Sequence, residues 1–146
     1  MFFDDCKIVI ASTTTLGAAG TTLITSSAVD TYGYRGCCFV VPLGTITAGA
    51  VTSLKVQQSS DDAVTDTYDD LTGSNQVIAD TDDDKLRYVD IYNPGKRYLK
   101  LLLSRATQNA TIGGIIVILY NAKNKPTTQG ANVSGENFIA PIEGTA

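Results

Sequence analysis

Runs of apolar and β-branched residues alternate with short polar turns along this chain, and the densest runs lie between residues 86 and 120. Three runs in that stretch are separated by Asn93-Pro94-Gly95 and by a polar segment that ends at Gly113-Gly114. Runs of this length between turn residues predict strands. Their short connections favour antiparallel neighbours over crossovers through helices.

The last two runs differ in how their apolar residues are distributed. In residues 98–104, three leucines share one parity while Tyr98, Lys100 and Ser104 lie on the other, which predicts a strand buried on one face. Residues 115–120 are apolar at both parities, with Ile116 and Ile118 on the second face. That second face requires cover from another sheet, an arm of the chain or another copy of the protein.

Shorter strands are predicted over residues 21–29, 37–41, 51–58, 64–71 and 76–79. Pro42 and Gly44 are expected to end the second of these, because proline lacks the N–H that a sheet requires. Leu54 and Val56 are expected to point inward from the third. About eight short strands with little helix predict an all-β fold, an antiparallel β-sandwich of the jelly-roll type.

Both ends of the chain read as extended arms around a domain of residues 21–122. The N-terminal arm, residues 1–20, carries an apolar tip that includes Phe2, Phe3 and Ile8, followed by a small, flexible stretch. That tip is expected to dock as an edge strand on its own sheet or on a neighbouring subunit. The C-terminal arm, residues 123–146, is rich in glycine and proline. Its apolar anchors are Phe138, Ile139 and Ile142.

Charge is unevenly distributed along the chain. The formal net charge of -4 argues against binding to nucleic acid or to an anionic membrane, both of which call for a basic excess. Residues 59–84 contain nine aspartates and no lysine or arginine, whereas six basic residues follow between 85 and 105. This order predicts a negative end and a separate positive region, through which identical copies meet with opposite charges facing.

The three cysteines do not form a disulfide framework. Cys37 and Cys38 are adjacent and point to opposite faces of a strand, so buried free thiols are expected for these two and for Cys6. A reducing compartment follows from that. The N-terminus is acidic where a signal peptide is basic, and the apolar run 8–11 is too short for a membrane span. We expect a protein made in the cytoplasm without Sec export.

Little in the sequence points to catalysis. The absence of histidine removes Ser-His-Asp and Cys-His catalysis and most zinc sites. The carboxylates cluster in polar, loop-like runs rather than in a cleft, so we predict no enzyme and no cofactor. The run Asp80–Asp84 allows two interpretations, a solvated hairpin tip or a calcium loop. Tyr32, Tyr34 and Tyr68 allow a sugar-binding surface as an alternative to ordinary packing.

Four segments resemble small tailed-bacteriophage virion proteins that act as capsid decoration, or cement, proteins. The residues are 44–61 (GTITAGAVTSLKVQQSSD), 71–86 (LTGSNQVIADTDDDKL), 89–107 (VDIYNPGKRYLKLLLSRAT) and 118–126 (ILYNAKNKP). The resemblance covers the middle and end of the domain and is weaker in the N-terminal arm.

The resemblance implies a β-sandwich or jelly roll on the outside of the viral shell, as a homotrimer at a local symmetry axis, with termini that reach over neighbouring capsid subunits. The expected partners are the major capsid protein and other copies of this chain. Residues expected to contact these partners are Phe2, Phe3, Ile8, Ile116, Ile118, Phe138, Ile139 and Ile142. A tail or head-fibre component and a capsid-displayed carbohydrate-binding module remain as alternatives.

Overall fold

Two antiparallel β-sheets pack face to face in the computed structural model, which describes residues 1–139 and residue 144. The elements are α1 (Phe2–Asp5), β1 (Lys7–Ile10), β2 (Ala19–Gly20), β3 (Ile24–Thr25), β4 (Val29–Asp30), β5 (Tyr34–Ile46), β6 (Val51–Ser59), β7 (Asp69–Asp70), β8 (Gln76–Ile78), β9 (Leu86–Tyr92), β10 (Tyr98–Ala106), β11 (Ala110–Ile112) and β12 (Ile116–Ala122). The predicted all-β, antiparallel sandwich is confirmed.

The first sheet follows the order β1-β12-β5, with β9 on the other side of β5 and with β11 and β2 at one end. The second sheet places β3 and β4 beside β10, then β6, then β7 and β8. Short strands that continue one another form single paths, namely β3 with β4, β7 with β8, and β11 with β12. With each such pair counted as one strand and the two-residue β2 left out, eight strands remain, and we number them 1 to 8 in chain order. The first sheet then has the order 1-8-3-6 and the second the order 2-7-4-5, which is the jelly-roll arrangement.

The core lies between the two sheets and is built from the inward-facing residues of the long strands. Leu99, Leu101 and Leu103 are fully buried on β10, and Leu54 and Val56 are buried on β6, as the alternation predicts. From the first sheet, Phe39, Val41, Val117 and Leu119 meet them.

β5 does not end at Pro42, so that prediction is wrong. The Pro42 carbonyl accepts a hydrogen bond from the Gly113 amide at 2.8 Å, and the adjacent Leu43 amide bonds to Lys85 on the other side. In an antiparallel sheet, the N–H and C=O of one residue point toward the same neighbouring strand. The missing N–H of Pro42 would therefore point, like its carbonyl, toward the Gly113-Gly114 break between β11 and β12. Proline therefore leaves no strand unpaired at this position.

The strand predicted over residues 21–29 is split into β3 and β4. Ser26 lies at the break and is buried. Its hydroxyl oxygen accepts a hydrogen bond from the Leu101 amide at 2.9 Å, a role that a strand carbonyl usually has. Because the Ser26 hydroxyl accepts the hydrogen bond of the Leu101 amide, the strand can bend here without leaving that buried amide unpaired.

The strand predicted over residues 64–71 is reduced to β7, because the Asp61 carboxylate organises the preceding segment as a loop. It accepts hydrogen bonds from the backbone amides of Val64, Thr65 and Asp66. Those amides are then not available to a sheet, and the chain turns instead.

Candidate functional site

Four strands of the first sheet present an apolar surface to the outside of the sandwich. Cross-strand register places its residues in three rows: Ile10, Ile116, Val40 and Tyr88; then Ile8, Ile118, Cys38 and Asp90; then Tyr120, Gly36 and Tyr92. We call these residues the apolar outer face. Ile116 and Ile118 are half-buried at its centre, and Tyr88 and Tyr92 are more than half exposed at one edge. Both isoleucines predicted to make contacts therefore belong to one continuous surface.

Tyr120 crosses the middle strand of this face. Its hydroxyl donates a hydrogen bond to Asp90 on β9 at 2.8 Å, so the ring must pass over Gly36 of β5. A Cβ atom at Gly36 would lie 2.0 Å from the Tyr120 ring, which excludes any other residue without movement of the ring. Burial, and then the hydrogen bond to Asp90, raises the pKa of Tyr120 to about 12. The tyrosine is therefore a fixed, neutral part of the face.

The N-terminal residues lie at the edge of the same sheet. Lys7–Ile10 pair with β12, which is the first of the two docking arrangements expected for this arm. Phe2 is exposed and contacts Phe3 edge-to-face, with ring centroids 5.2 Å apart. Ile8 faces outward into the second row of the apolar outer face.

The C-terminal segment binds back onto the N-terminal one. The Gln129 side-chain amide accepts a hydrogen bond from the Ile8 backbone at 2.9 Å and donates one to the Cys6 carbonyl at 2.7 Å. Thr127 hydroxyl donates to the Phe3 carbonyl at 2.6 Å. Residues up to Gln129 therefore belong to the body of the fold, rather than to a loose arm.

Beyond that point, Phe138 and Ile139 are 72% and 83% exposed, so the structure does not place them against Phe2 or Ile118. Ile142, the remaining predicted contact residue, lies outside the described residues.

The acidic loop 80–84 is built around the backbone. Asp80 and Asp83 accept hydrogen bonds from the Gly49 and Ile46 amides, each at 2.6 Å, and tie the loop to the β5–β6 connection. Asp82 is buried and binds the Ala79 amide, Lys85 and Arg87. Within the described part of the chain, no group of three or more Asp, Glu, Cys or His side chains is arranged to hold a metal ion.

The strands bring acidic and basic residues of the predicted negative and positive regions together within the chain. Lys96 pairs with Asp66 at 2.9 Å, and Arg97 pairs with Asp30 at 2.7 Å. Further ion pairs join Lys55 to Asp70, Lys100 to Asp62, and both Lys85 and Arg87 to Asp82. Residues distant in sequence meet across neighbouring strands and loops, which one-dimensional charge order does not reveal.

One positively charged surface does remain, at the end of the sandwich where β5 begins and β9 and β12 end. An open cleft of about 580 Å³ lies there, and its walls include Tyr32, Arg35, Asn93, Lys96, Arg97 and Lys123. We call this the cationic cleft. Tyr34 also lines it, whereas Tyr68 stacks on Lys100 elsewhere. Sequence reasoning considered Tyr32 and Tyr34 but missed the cleft, since its basic residues come from three separate turns.

The cysteines are free, as predicted. Cys6 and Cys37 are buried, and Cys38 is half-buried on the apolar outer face. Burial raises the pKa of the Cys37 thiol well above its usual range, and it raises that of Cys38 with a smaller contribution from Asp90. All three thiols are therefore protonated at neutral pH, and a protonated thiol is a weak nucleophile.

None of the helices described is long and apolar enough to cross a membrane.

No protein-family model matches this chain, and no curated protein matches it. Solved structures do match. A chain from the structure of infectious bursal disease virus, Gt strain, aligns with a TM-score of 0.51 at 12% identity, over 83% of this chain and 33% of the viral chain. This chain thus spans about a third of that protein's length.

The CBM22-1 xylan-binding domain from Paenibacillus barcinonensis Xyn10C aligns with a TM-score of 0.42 at 13% identity, over 79% of this chain and 83% of that domain. At such identities, likeness concerns the fold alone. The chain therefore shares its β-sandwich fold with a chain from a virus structure.

Proposed function

We propose that this chain is a non-enzymatic structural protein of a virion, which decorates the outside of a bacteriophage capsid and bridges neighbouring major capsid subunits. The observation that carries the proposal is the apolar outer face. Four paired strands present aliphatic and tyrosine side chains there, as one contiguous surface. A contiguous apolar surface of this kind is typical of a permanent protein contact.

The β-sandwich fold shared with a chain from a virus structure is consistent with this role, as is the sequence resemblance to decoration proteins. In the proposed arrangement, the apolar outer face contacts a capsid subunit or another copy of the chain, and three copies meet at a local symmetry axis. The exposed side chains near the termini, Phe2, Phe138 and Ile139, reach the next subunits. Many weak contacts of tethered segments then add up on a repeating lattice and resist the pressure of packaged DNA.

The copy number of the chain in the particle tests the proposal most directly. Quantitative peptide mass spectrometry on purified virions is expected to give a copy number equal to that of the major capsid protein, or a simple fraction of it. A handful of copies would assign the chain to the tail or to a head fibre. Absence from particles would exclude a virion role.

Paired substitutions test the surface that makes the contact. Ile116→Lys with Ile118→Lys places two charges at the centre of the apolar outer face, where long side chains reach water without disturbing the core. We expect the amount of protein that co-sediments with capsid shells to fall at least tenfold. The control is Val77→Lys on β8, which is 74% exposed on the other sheet. Equal binding by both variants, with unchanged melting temperatures, would exclude this face as the contact.

A further inference from the structure

The cationic cleft carries two positive charges that the described part of the chain does not neutralise. Lys96 and Arg97 are paired with Asp66 and Asp30, but Arg35 and Lys123 form no ion pair or side-chain hydrogen bond with residues 1–139 or 144. Among the described residues, no acidic side chain lines the cleft. In a chain of net charge -4, this leaves a local site for an anion.

An exposed aromatic ring lines the same cleft. Tyr32 is 74% exposed, and the Arg97 guanidinium lies 5.0 Å from its ring centroid and 5.1 Å from that of Tyr98. Asp30 holds the guanidinium through two hydrogen bonds, at 2.8 and 2.7 Å. The held guanidinium contacts one face of the Tyr32 ring, which restrains the ring and reduces the side-chain entropy lost when a ligand packs on it.

The walls of the cleft are held together by backbone hydrogen bonds. The Asn93 amide donates to the Arg35 carbonyl at 2.7 Å, the Lys123 amide to Gly33 at 2.8 Å, and the Thr31 amide to Arg97 at 2.9 Å. Three turns far apart in sequence therefore form one rigid unit. The volume of the cleft lies within the range of small-ligand sites.

We infer that the cationic cleft binds a carboxylated saccharide. Tyr32 packs on the C–H face of the sugar ring, Arg35 and Lys123 bind the carboxylate, and the Asn93 side-chain amide hydrogen-bonds to hydroxyl groups. An acidic peptide fits the site less well. Peptides commonly add to an unpaired strand edge, and β5 is already paired on both sides here, by β9 and β12. This inference does not depend on the proposed virion function.

Titrations followed by NMR test the inference, with two acidic sugars and their neutral counterparts as probes. The pairs are 3′-sialyllactose with lactose, and trigalacturonate with galactotriose. At least one acidic sugar is expected to shift the amide resonances of Tyr32, Arg35, Asn93 and Lys123, and to bind at least tenfold more tightly than its neutral counterpart. Failure of both acidic sugars to shift these resonances at a ligand concentration of ~10 mM would overturn the inference, because the dissociation constant would then lie well above the millimolar range.

Matched variants locate the site. Arg35→Gln with Lys123→Gln removes both unpaired charges, and Tyr32→Ala removes the ring. Each is expected to weaken binding of the acidic sugar at least tenfold. Lys55→Gln with Lys85→Gln changes the net charge equally but lies outside the cleft, and is expected to bind as the unmodified protein does.

A tetra-aspartate peptide with blocked ends separates a saccharide site from a general anion site. Weaker binding of the peptide than of the acidic sugar, together with an effect of Tyr32→Ala on the sugar alone, supports the saccharide. Tighter binding of the peptide, or equal loss of both ligands in Tyr32→Ala, overturns it in favour of an acidic protein partner.

Discussion

Arg105 shows how much one buried side chain contributes to joining the two sheets. It is 6% exposed on β10 and has no carboxylate partner among the described residues. Its guanidinium instead donates hydrogen bonds to the carbonyls of Thr22, Ala18 and Ala110, at 2.9, 3.1 and 2.9 Å. The segment before β3 and the start of β11 are thus attached to the second sheet by one residue. Burial lowers the pKa of Arg105, which still remains charged because arginine starts so high.

Arg105→Met keeps the bulk of the side chain but leaves three carbonyls without their donor. We expect the free energy of unfolding to fall by about 2–4 kcal/mol, since each unpaired buried polar group costs about 1–3 kcal/mol and the backbone partly relaxes. Urea unfolding followed by circular dichroism measures this. Arg35→Met, which removes the same charge from an exposed position, is the control and should change stability by less than about 0.5 kcal/mol. A similar effect of both substitutions would contradict the role given to Arg105.

Among the elements, β1 lies at one edge of the first sheet. An edge strand presents unpaired N–H and C=O groups that invite pairing with another chain. Here the Gln129 side chain satisfies two of them, the Ile8 amide and the Cys6 carbonyl, as a neighbouring strand would. The segment after β12 thereby closes the sheet edge without forming a strand.

Gln129→Ala removes both hydrogen bonds and leaves the pairing of β1 with β12 intact. We expect the Ile8 amide to exchange with solvent about tenfold faster, which corresponds to about 1.4 kcal/mol of local stability. The Val9 amide serves as an internal reference because it faces β12. Thr128→Ala, an exposed neighbour, is the matched control. Unchanged exchange at Ile8 would show that other contacts protect this edge.

The ion pairs and hydrogen bonds of the aspartates set how the stability of the whole molecule depends on pH. A hydrogen bond from Lys96, followed by those from Ser60, lowers the pKa of Asp66 to about 2. Lys85, the Ala79 amide and Arg87 lower the pKa of Asp82 well below its usual range. Asp30, Asp61 and Asp70 are shifted in the same direction by Arg97, Thr65 and Lys55 respectively.

These carboxylates have lower pKa values in the folded protein than in the unfolded chain, where aspartate titrates near pH ~3.9. Their contribution to stability is complete above that value and is lost as the pH falls through the folded-state pKa values, because the unfolded chain then binds more protons. We therefore expect the urea midpoint to be constant near neutral pH and to fall steadily below pH ~4. Asp82→Asn should lower the midpoint at pH 7 and make the acid decline shallower.

Glu136→Gln is the control for that measurement, since Glu136 is exposed and forms no ion pair with the described residues. It should shift neither the midpoint nor the slope. An Asp82→Asn curve that stays parallel to that of the unmodified protein from pH 7 to 2.5 would contradict the assignment.

The fold was predictable to the extent that it depends on alternation along a strand. Leu99 and Leu54 could be placed in the core because burial on one face imposes a period of two residues. Breaks within strands were not predictable, since the Ser26 hydroxyl and the Asp61 carboxylate act on backbone groups that only the fold brings near. The centre of the candidate surface, Ile116 and Ile118, followed from its apolar pattern. The rows that extend it to Ile10 and Tyr88 required strand order and register.

By itself, the sequence determined the fold class, the inward residues of the long strands and the free state of the thiols, because each depends on local pattern and composition. The tertiary structure decided which aspartate pairs with which lysine, how the C-terminal segment closes β1, and that three distant turns form the cationic cleft. The physical reason is the distance along the chain over which each interaction acts. Backbone propensity and burial period act between near neighbours, whereas charge pairing and surface shape depend on residues that meet only after the sheets have packed.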